Sequence, residues 1–231
     1  MKNIIINTYL IIILKMDLNI HQRFEYNMTQ LHKAVLNQDI QMIQLVLALN
    51  DKLLCIKDNV GFTPLHIAIK YELYESAELL LKHSLAKQVI NNNMFSIAIE
   101  NNSIGMLNLL LKYNQDLLKY NSRLSLVNFA VKKGRLIILK NLHNNGFPWN
   151  EDTCSCAARN GHLECLKYLH KNDCPWNKWT CLFAAEEGNL ECLKYAHENG
   201  CLWDKHTYIC AAERGHLECL EYVYENGCPQ H

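Results

Sequence analysis

The chain has 231 residues in which 23 lysines and arginines balance 23 aspartates and glutamates. No excess positive charge or Lys/Arg run exists to neutralise phosphates, which argues against a nucleic-acid partner. Eleven cysteines is an odd number, and ten of them lie after residue 150 in positions that recur with a period rather than in a disulfide framework, so a reducing compartment such as the cytoplasm is expected.

In chain order, the first feature is residues 3–14, the one strongly apolar run, enclosed by Lys2 and Lys15. It falls well short of the roughly 20 residues that span a bilayer. No small-residue cleavage site follows it, which argues against a membrane or secreted destination. Residues 1–27 are expected either to cover the open apolar side of the first structural unit or to include sequence upstream of a start at Met16 or Met28.

Two related segments follow, Thr29-Gln-Leu31-His32-Lys-Ala34 and Asp58-Asn-Val-Gly61-Phe-Thr63-Pro64-Leu65-His66-Ile-Ala68. Further on, the pattern becomes strictly periodic: Gly161-His-Leu-Glu-Cys-Leu-Lys-Tyr168 returns at Gly188 and again, at the same interval, at Gly215. Ala157-Ala158, Ala184-Ala185 and Ala211-Ala212 keep the same register, as do Phe147-Pro-Trp149, Cys174-Pro-Trp176 and Cys201-Leu-Trp203. The small residue of each first helix serves as a marker along the whole chain, at Ala34, Ala68, Ala98, Ala130, Ala157, Ala184 and Ala211. The early steps between markers are longer and uneven, and the steps from Ala130 onward are shorter and identical. A fixed period of this size means stacked supersecondary units that bury their apolar faces against their sequence neighbours.

Within a late unit, Asn150, Asn177 and Asp204 precede the Ala-Ala helices and read as N-caps. Gly161, Gly188 and Gly215 supply the left-handed residue that closes each first helix. Second helices begin at once, with Glu164, Glu191 and Glu218 at the positive end of the dipole, and end at Asn199-Gly200 and Asn226-Gly227. Leu163, Leu166 and Leu169 form the apolar stripe.

The Thr63-Pro-Leu-His66 segment resembles the ankyrin repeat, and the short later units resemble the ankyrin-type repeats encoded by giant viruses of amoebae. The resemblance implies an all-α ankyrin-repeat solenoid of about seven helix-turn-helix repeats over residues 28–227, with residues 228–231 starting an incomplete further repeat. It implies β-hairpin fingers at Cys55–Phe62, Ala86–Asn93 and Asp116–Arg123 and none in the shortened C-terminal half. Trp149, Trp176 and Trp203 stand where the family carries a buried aliphatic residue, so packing in the space vacated by the hairpins is expected rather than an exposed ladder. The same resemblance gives His66 a structural role in tying neighbouring loops.

Catalytic and metal motifs are not apparent. Cys165, Cys192 and Cys219 form one column, Cys174, Cys201 and Cys228 another. Column mates on stacked helices stand about 8–10 Å apart, beyond the roughly 7 Å between Cα atoms that a disulfide tolerates. Their expected role is that of small buried hydrophobes. His162 and His216 share a turn column with Asn189, which suggests turn-forming polarity rather than acid–base chemistry. His197-Glu198 lacks a second zincin histidine, and neither a Gly-x-Ser-x-Gly elbow nor a phosphate loop occurs. No cofactor or metal is expected.

The expected function is non-catalytic binding of a protein partner, a host protein if the chain is viral, on the concave ankyrin face. Positions that vary while the framework repeats give the candidate contacts: Asp152, Trp179 and His206 in one column, Arg159, Glu186 and Glu213 in another, and the column Asn160, Glu187 and Arg214 varies likewise. Trp179 lies outside the periodic tryptophans and is the candidate hot spot; the alternative is a tryptophan lying on its own repeat. Two other functions remain open, a substrate-recruiting adaptor of a ubiquitin ligase and a cysteine-rich metal or redox sensor. The adaptor would need an F-box, for which the short stretches before the first repeat and after the last leave no room. The last repeat keeps Leu217, Cys219, Leu220, Tyr222 and Val223 of the internal pattern, so its outer face is expected to self-associate or its final helix to fray.

Overall fold

The computed structural model describes residues 28–114 and 120–230; the expectations for residues 1–27 lie outside them. The described chain forms two compact units, one ending at Val89 and one beginning at Ile90.

In the first unit, α1 (Gln30–Leu36) pairs with α2 (Ile40–Leu49), and α3 (Pro64–Lys70) with α4 (Tyr74–Leu81); a 3-10 turn at Asp51–Cys55 and a short helix α5 (Ala86–Val89) complete it. Thr29 and Thr63 start the first helices through reciprocal caps: each threonine side chain accepts from the backbone N–H of the histidine three residues on, and that histidine's ring bonds back to the threonine. The N–H of Thr29 donates to His32 Nδ1 at 3.1 Å, which leaves Nε2 to carry the proton and donate to the carbonyl of Phe62 at 3.0 Å. Histidine thus joins α1 to the loop before α3. The fully buried Leu31, Val35, Ile43, Leu54, Leu65, Ala68 and Leu80 form the core.

The second unit has five helix pairs: α6 (Asn92–Glu100) with α7 (Ile104–Asn114), α8 (Tyr120–Lys132) with α9 (Leu136–Asn144), α10 (Glu151–Arg159) with α11 (Leu163–Lys171), α12 (Lys178–Glu186) with α13 (Leu190–Glu198), and α14 (Lys205–Arg214) with α15 (Leu217–Glu225). First helices pack on first helices and second on second. The caps follow the sequence reading: Asn150 forms a capping box with Thr153, Asn177 accepts from the N–H of Trp179, and Asp204 from that of His206. The left-handed position that closes each first helix is occupied by Gln38, Glu72, Asn102, Gly134, Gly161, Gly188 and Gly215, all at positive φ.

The expected β-hairpin fingers are corrected. Among the described residues no strand occurs. At Cys55–Phe62 only a tip survives: the Asp58 N–H donates to the Phe62 carbonyl at 2.8 Å, and Asp58 Oδ1 accepts from the N–H groups of Val60 and Phe62. The Asp51–Cys55 turn that precedes it leaves no extended arm. In the proposed Ala86–Asn93 finger, Ala86–Val89 is helical and Asn91 already caps the next helix. The proposed Asp116–Arg123 finger is helical from Tyr120 onward, and its earlier residues lie outside the described part.

Candidate functional site

At three of the four junctions between neighbouring repeats of the second unit, a side chain in the turn between helices reaches back to hydrogen-bond the preceding repeat. Arg135 Nη2 donates to the Glu100 carbonyl at 2.8 Å. His162 Nε2 meets the Lys132 carbonyl at 3.0 Å, and Asn189 Nδ2 donates to the carbonyls of Ala158 and Arg159 at 3.0 and 2.8 Å. These acceptors lie at first-helix C-termini, where the last carbonyls have no partner within the helix; that of Ala158 also accepts from the Gly161 N–H at 3.2 Å. The same side chains lie over the left-handed glycines: a Cβ on Gly134, Gly161 or Gly188 would stand 2.5–2.7 Å from His162, Asn189 or His216 respectively. His162 therefore locks neighbours together as well as forming a turn, and His216 covers the left-handed glycine of the repeat before it.

A second junction is aromatic. Trp149, Trp176 and Trp203 are half-buried, not core residues. Each lies against a histidine of the preceding helix, His143, His170 or His197, at centroid distances of 4.0, 3.9 and 3.6 Å. Each also meets, edge to face, a tyrosine of the next repeat, Tyr168, Tyr195 or Tyr222. Nδ1 of each histidine is 2.8–2.9 Å from the hydroxyl of that tyrosine. Burial pulls the His197 imidazole below its usual range.

The cysteines are structural in this arrangement. Cys174, Cys201 and Cys228 place Sγ at 3.3, 3.1 and 3.3 Å from the carbonyls of Asn150, Asn177 and Asp204. Burial pushes Cys165, Cys192 and Cys219 up to about 11. Contact with the thiols of Cys174 and Cys201, together with burial, holds Cys154 and Cys181 protonated. Among the described residues, no group of three or more His, Cys, Asp or Glu side chains is arranged to hold a metal ion, and no helix is long and apolar enough to cross a membrane.

The variable positions lie on the first helices. Trp179 is 46 % exposed and stacks on Phe183 of its own helix, with centroids 5.7 Å apart. The Arg159 guanidinium lies 3.5 Å from the centre of the Phe183 ring and bonds Glu186 at 3.2 Å. Arg214 reaches the other oxygen of Glu186 at 3.0 Å. One carboxylate, only 19 % exposed, thus holds two guanidinium groups in place. Beside it, Lys178 bonds Asp204 at 2.7 Å, which holds the Asp204 carboxyl below its usual range.

Arg159, Trp179 and Glu186 are therefore gathered into one patch, closed by Arg214 of the following repeat. Asp152, which accepts from Asn150 Nδ2 at 3.2 Å, and His206, which bonds Asp204 at 3.2 Å, stand at the N-terminal ends of their helices. Glu213 is exposed at the C-terminal end of its helix and takes no part in the stack. Phe183 and Lys178 are not among the sequence candidates. Phe183 belongs to the column Phe129, Cys156, Phe183, Cys210, whose variation is the signal that marks it. Flat apolar surface flanked by guanidinium groups and an ammonium suits aromatic and carboxylate side chains of a partner.

A family model described as ankyrin repeats matches the chain at residues 5–93, 127–201 and 154–230. Rabankyrin-5 of Mus musculus is 29 % identical over 148 residues, 61 % of this chain and 13 % of that protein. Rabankyrin-5 of Homo sapiens matches to the same extent. An ankyrin repeat protein of Acanthamoeba polyphaga mimivirus is 36 % identical over 78 residues, 34 % of this chain and 10 % of that protein. The matched region is thus a small part of each relative's length.

Proposed function

We propose that this chain, which belongs to the ankyrin-repeat family, is a non-catalytic scaffold that binds a protein partner through the first-helix face of its later repeats. Ankyrin repeats generally mediate protein–protein interaction, and the family is typically non-catalytic. The observation that carries the assignment of a face is the exposed Trp179–Phe183–Arg159 stack, held by the two-guanidinium clasp on Glu186. A pre-ordered aromatic next to arginine loses little side-chain entropy on binding and has the composition of an interface hot spot. A reducing compartment such as the cytoplasm suits the eleven free thiols. The sensor reading has less support, because most of the thiols are buried, and burial with thiol contact pushes Cys154 and Cys181 up.

Affinity capture with the tagged chain tests the proposal. A protein retained by the wild type and by Tyr224→Ala, but lost with Trp179→Ala at unchanged circular dichroism, supports it. Equal capture by all three chains removes the Trp179 face from partner recognition.

A further inference from the structure

The first helices of the second unit carry an alternation that stacking does not require. The column Phe129, Cys156, Phe183 sets a small side chain between two rings, and all three are half-buried. Cys156 leans toward α8, its Sγ 3.7 Å from the Asn128 carbonyl. With neighbouring first helices about 8–10 Å apart, Cys156 is the floor of a saddle on α10, and the phenyl rings of α8 and α12 stand at its two sides.

Cations line the rim. Lys133 Nζ lies 5.3 Å from the centre of the Phe129 ring, and the Arg159 guanidinium 3.5 Å from that of Phe183. Burial pushes the Cys156 thiol up, and Lys132 and Arg159 pull against it, which sets both charges near that sulfur. Local carboxylates do not neutralise this group. Lys133 is paired with Glu100 at 3.0 Å, but Arg159 and Arg214 share the single charge of Glu186. The exposed Lys132 side chain makes no ion pair or hydrogen bond among the described residues. Beyond the saddle the sign turns: Glu187 and Glu213 stand exposed at the ends of α12 and α14.

We infer that the saddle seats a carboxylate of an acidic, extended segment of a protein partner, and that an aromatic side chain of the same segment lies on Trp179. This rests on the assignment of the first-helix face as the binding face. The carboxylate accepts from Lys132 and from the Arg159 N–H groups that Glu186 leaves free, at helix C-termini where those cations are already favoured. Saddle and Trp179 are one repeat apart, and an extended chain advances about 3.3 Å per residue, so acid and aromatic stand about three residues apart. A basic segment would meet like charge at Lys132 and Arg159. A nucleic-acid strand, charged at every step, would carry its next phosphates onto Glu187 and Glu213. A localised acid followed by an uncharged aromatic fits both ends.

The probe is a capped peptide, Ser-Glu-Glu-Ser-Ser-Phe-Ser, titrated to millimolar concentration into the reduced, nitrogen-labelled full chain. The readout is the Trp179 indole N–H signal in NMR, identified by its loss in Trp179→Ala. The signal should move to saturation, with weaker binding as salt rises. Replacing both glutamates by glutamine, or Lys132 by Glu in the chain, should weaken binding about tenfold. Lys171→Glu, at an exposed cation on the second helix α11, should bind as the wild type does. Both lysines are exposed and circular dichroism should be unchanged. No shift with the peptide, equal binding of its glutamine form, equal effects at Lys132 and Lys171, or displacement of the peptide by oligouridine would each overturn the proposal. A partner captured through Trp179 and retained by Lys132→Glu would leave the binding face standing and overturn the acidic occupant alone.

Discussion

Substituting Gly134 isolates the lock between neighbouring repeats. Gly134→Ala places a Cβ on a residue at φ +64, which costs about 1–2 kcal/mol for an L side chain in the left-handed region. The new Cβ would also lie 2.7 Å from Cε1 and Nδ1 of His162. The ring can swing aside, but it then abandons the Lys132 carbonyl 3.0 Å from Nε2. A hydrogen bond of this kind contributes about 1 kcal/mol, and the ring's lost contacts add about 1 kcal/mol. The expected total is about 3–4 kcal/mol. Gly146→Ala is the comparator: its φ is +70 and nothing lies within 4 Å of the added Cβ, so only the backbone cost of about 1–2 kcal/mol remains. Urea unfolding followed by tryptophan fluorescence measures both. A cycle through His162→Ala measures the coupling, expected to be about 2 kcal/mol. Equal penalties at Gly134 and Gly146, or a Gly134 penalty that persists without the His162 ring, would refute the lock.

Trp176→Ala should destabilise by about 2–3 kcal/mol, less than a core tryptophan because the ring is half-buried but still stacked on His170 and Tyr195; Trp179→Ala should leave urea stability within about 0.5 kcal/mol. Thr207 Oγ1 is buried without a partner, so Thr207→Val should raise the stability of the last repeat by roughly 1 kcal/mol in hydrogen exchange. Thr153→Val should lose about 1–2 kcal/mol in urea unfolding, because Thr153 donates to Asn128 at 2.7 Å. Asp173 occupies a position at φ +60 that is glycine in Gly146, Gly200 and Gly227, and Asp173→Gly should stabilise by roughly 0.5 kcal/mol in urea. Burial lowers the pKa of His32 and His197 in the folded chain, so the unfolded chain binds more protons as the pH falls through about 6.5. Stability is then fully present above that value and declines below it; His32→Gln should flatten the slope in unfolding measured between neutral and mildly acidic pH.

The seven helix pairs are legible because their signals are local: a capping residue, an alanine marker, a left-handed position and, in the later units, a motif that returns at a constant interval. The expected finger at Ala86–Asn93 is not, since nothing in that segment distinguishes an extended arm from a short helix until its neighbours are placed. The columns of histidine, tryptophan and tyrosine are visible, but not their pairing. His143 meets Tyr168 across 25 residues, an offset set by how one helix lies on the next rather than by the period itself. At the candidate face, Trp179 is marked by its departure from the pattern. Its support from Phe183 comes four residues on along its own helix, and the Arg159 guanidinium that lies on Phe183 comes from the preceding repeat, which no motif reveals. Thr207 is a further case: Thr153 has Asn128 as its partner, but the column of Asn128 continues as Ser155 and Leu182, so the identical threonine is satisfied at one site and not at the other.

The donor that reaches back and the glycine that receives the next donor belong to the same unit, so each of the later repeats carries both halves of its coupling. An in-frame duplication of the corresponding stretch of coding sequence creates a junction between parts that already fit, with Arg135, His162 or Asn189 serving interchangeably. The array can therefore lengthen or shorten by whole units in one recombination event, without a second compensating mutation. A gain or loss of any other size displaces the donor from its carbonyl and the left-handed residue from its turn. Selection on such genes then acts on the number and order of interchangeable cassettes, and the residues free to diverge are those facing the partner.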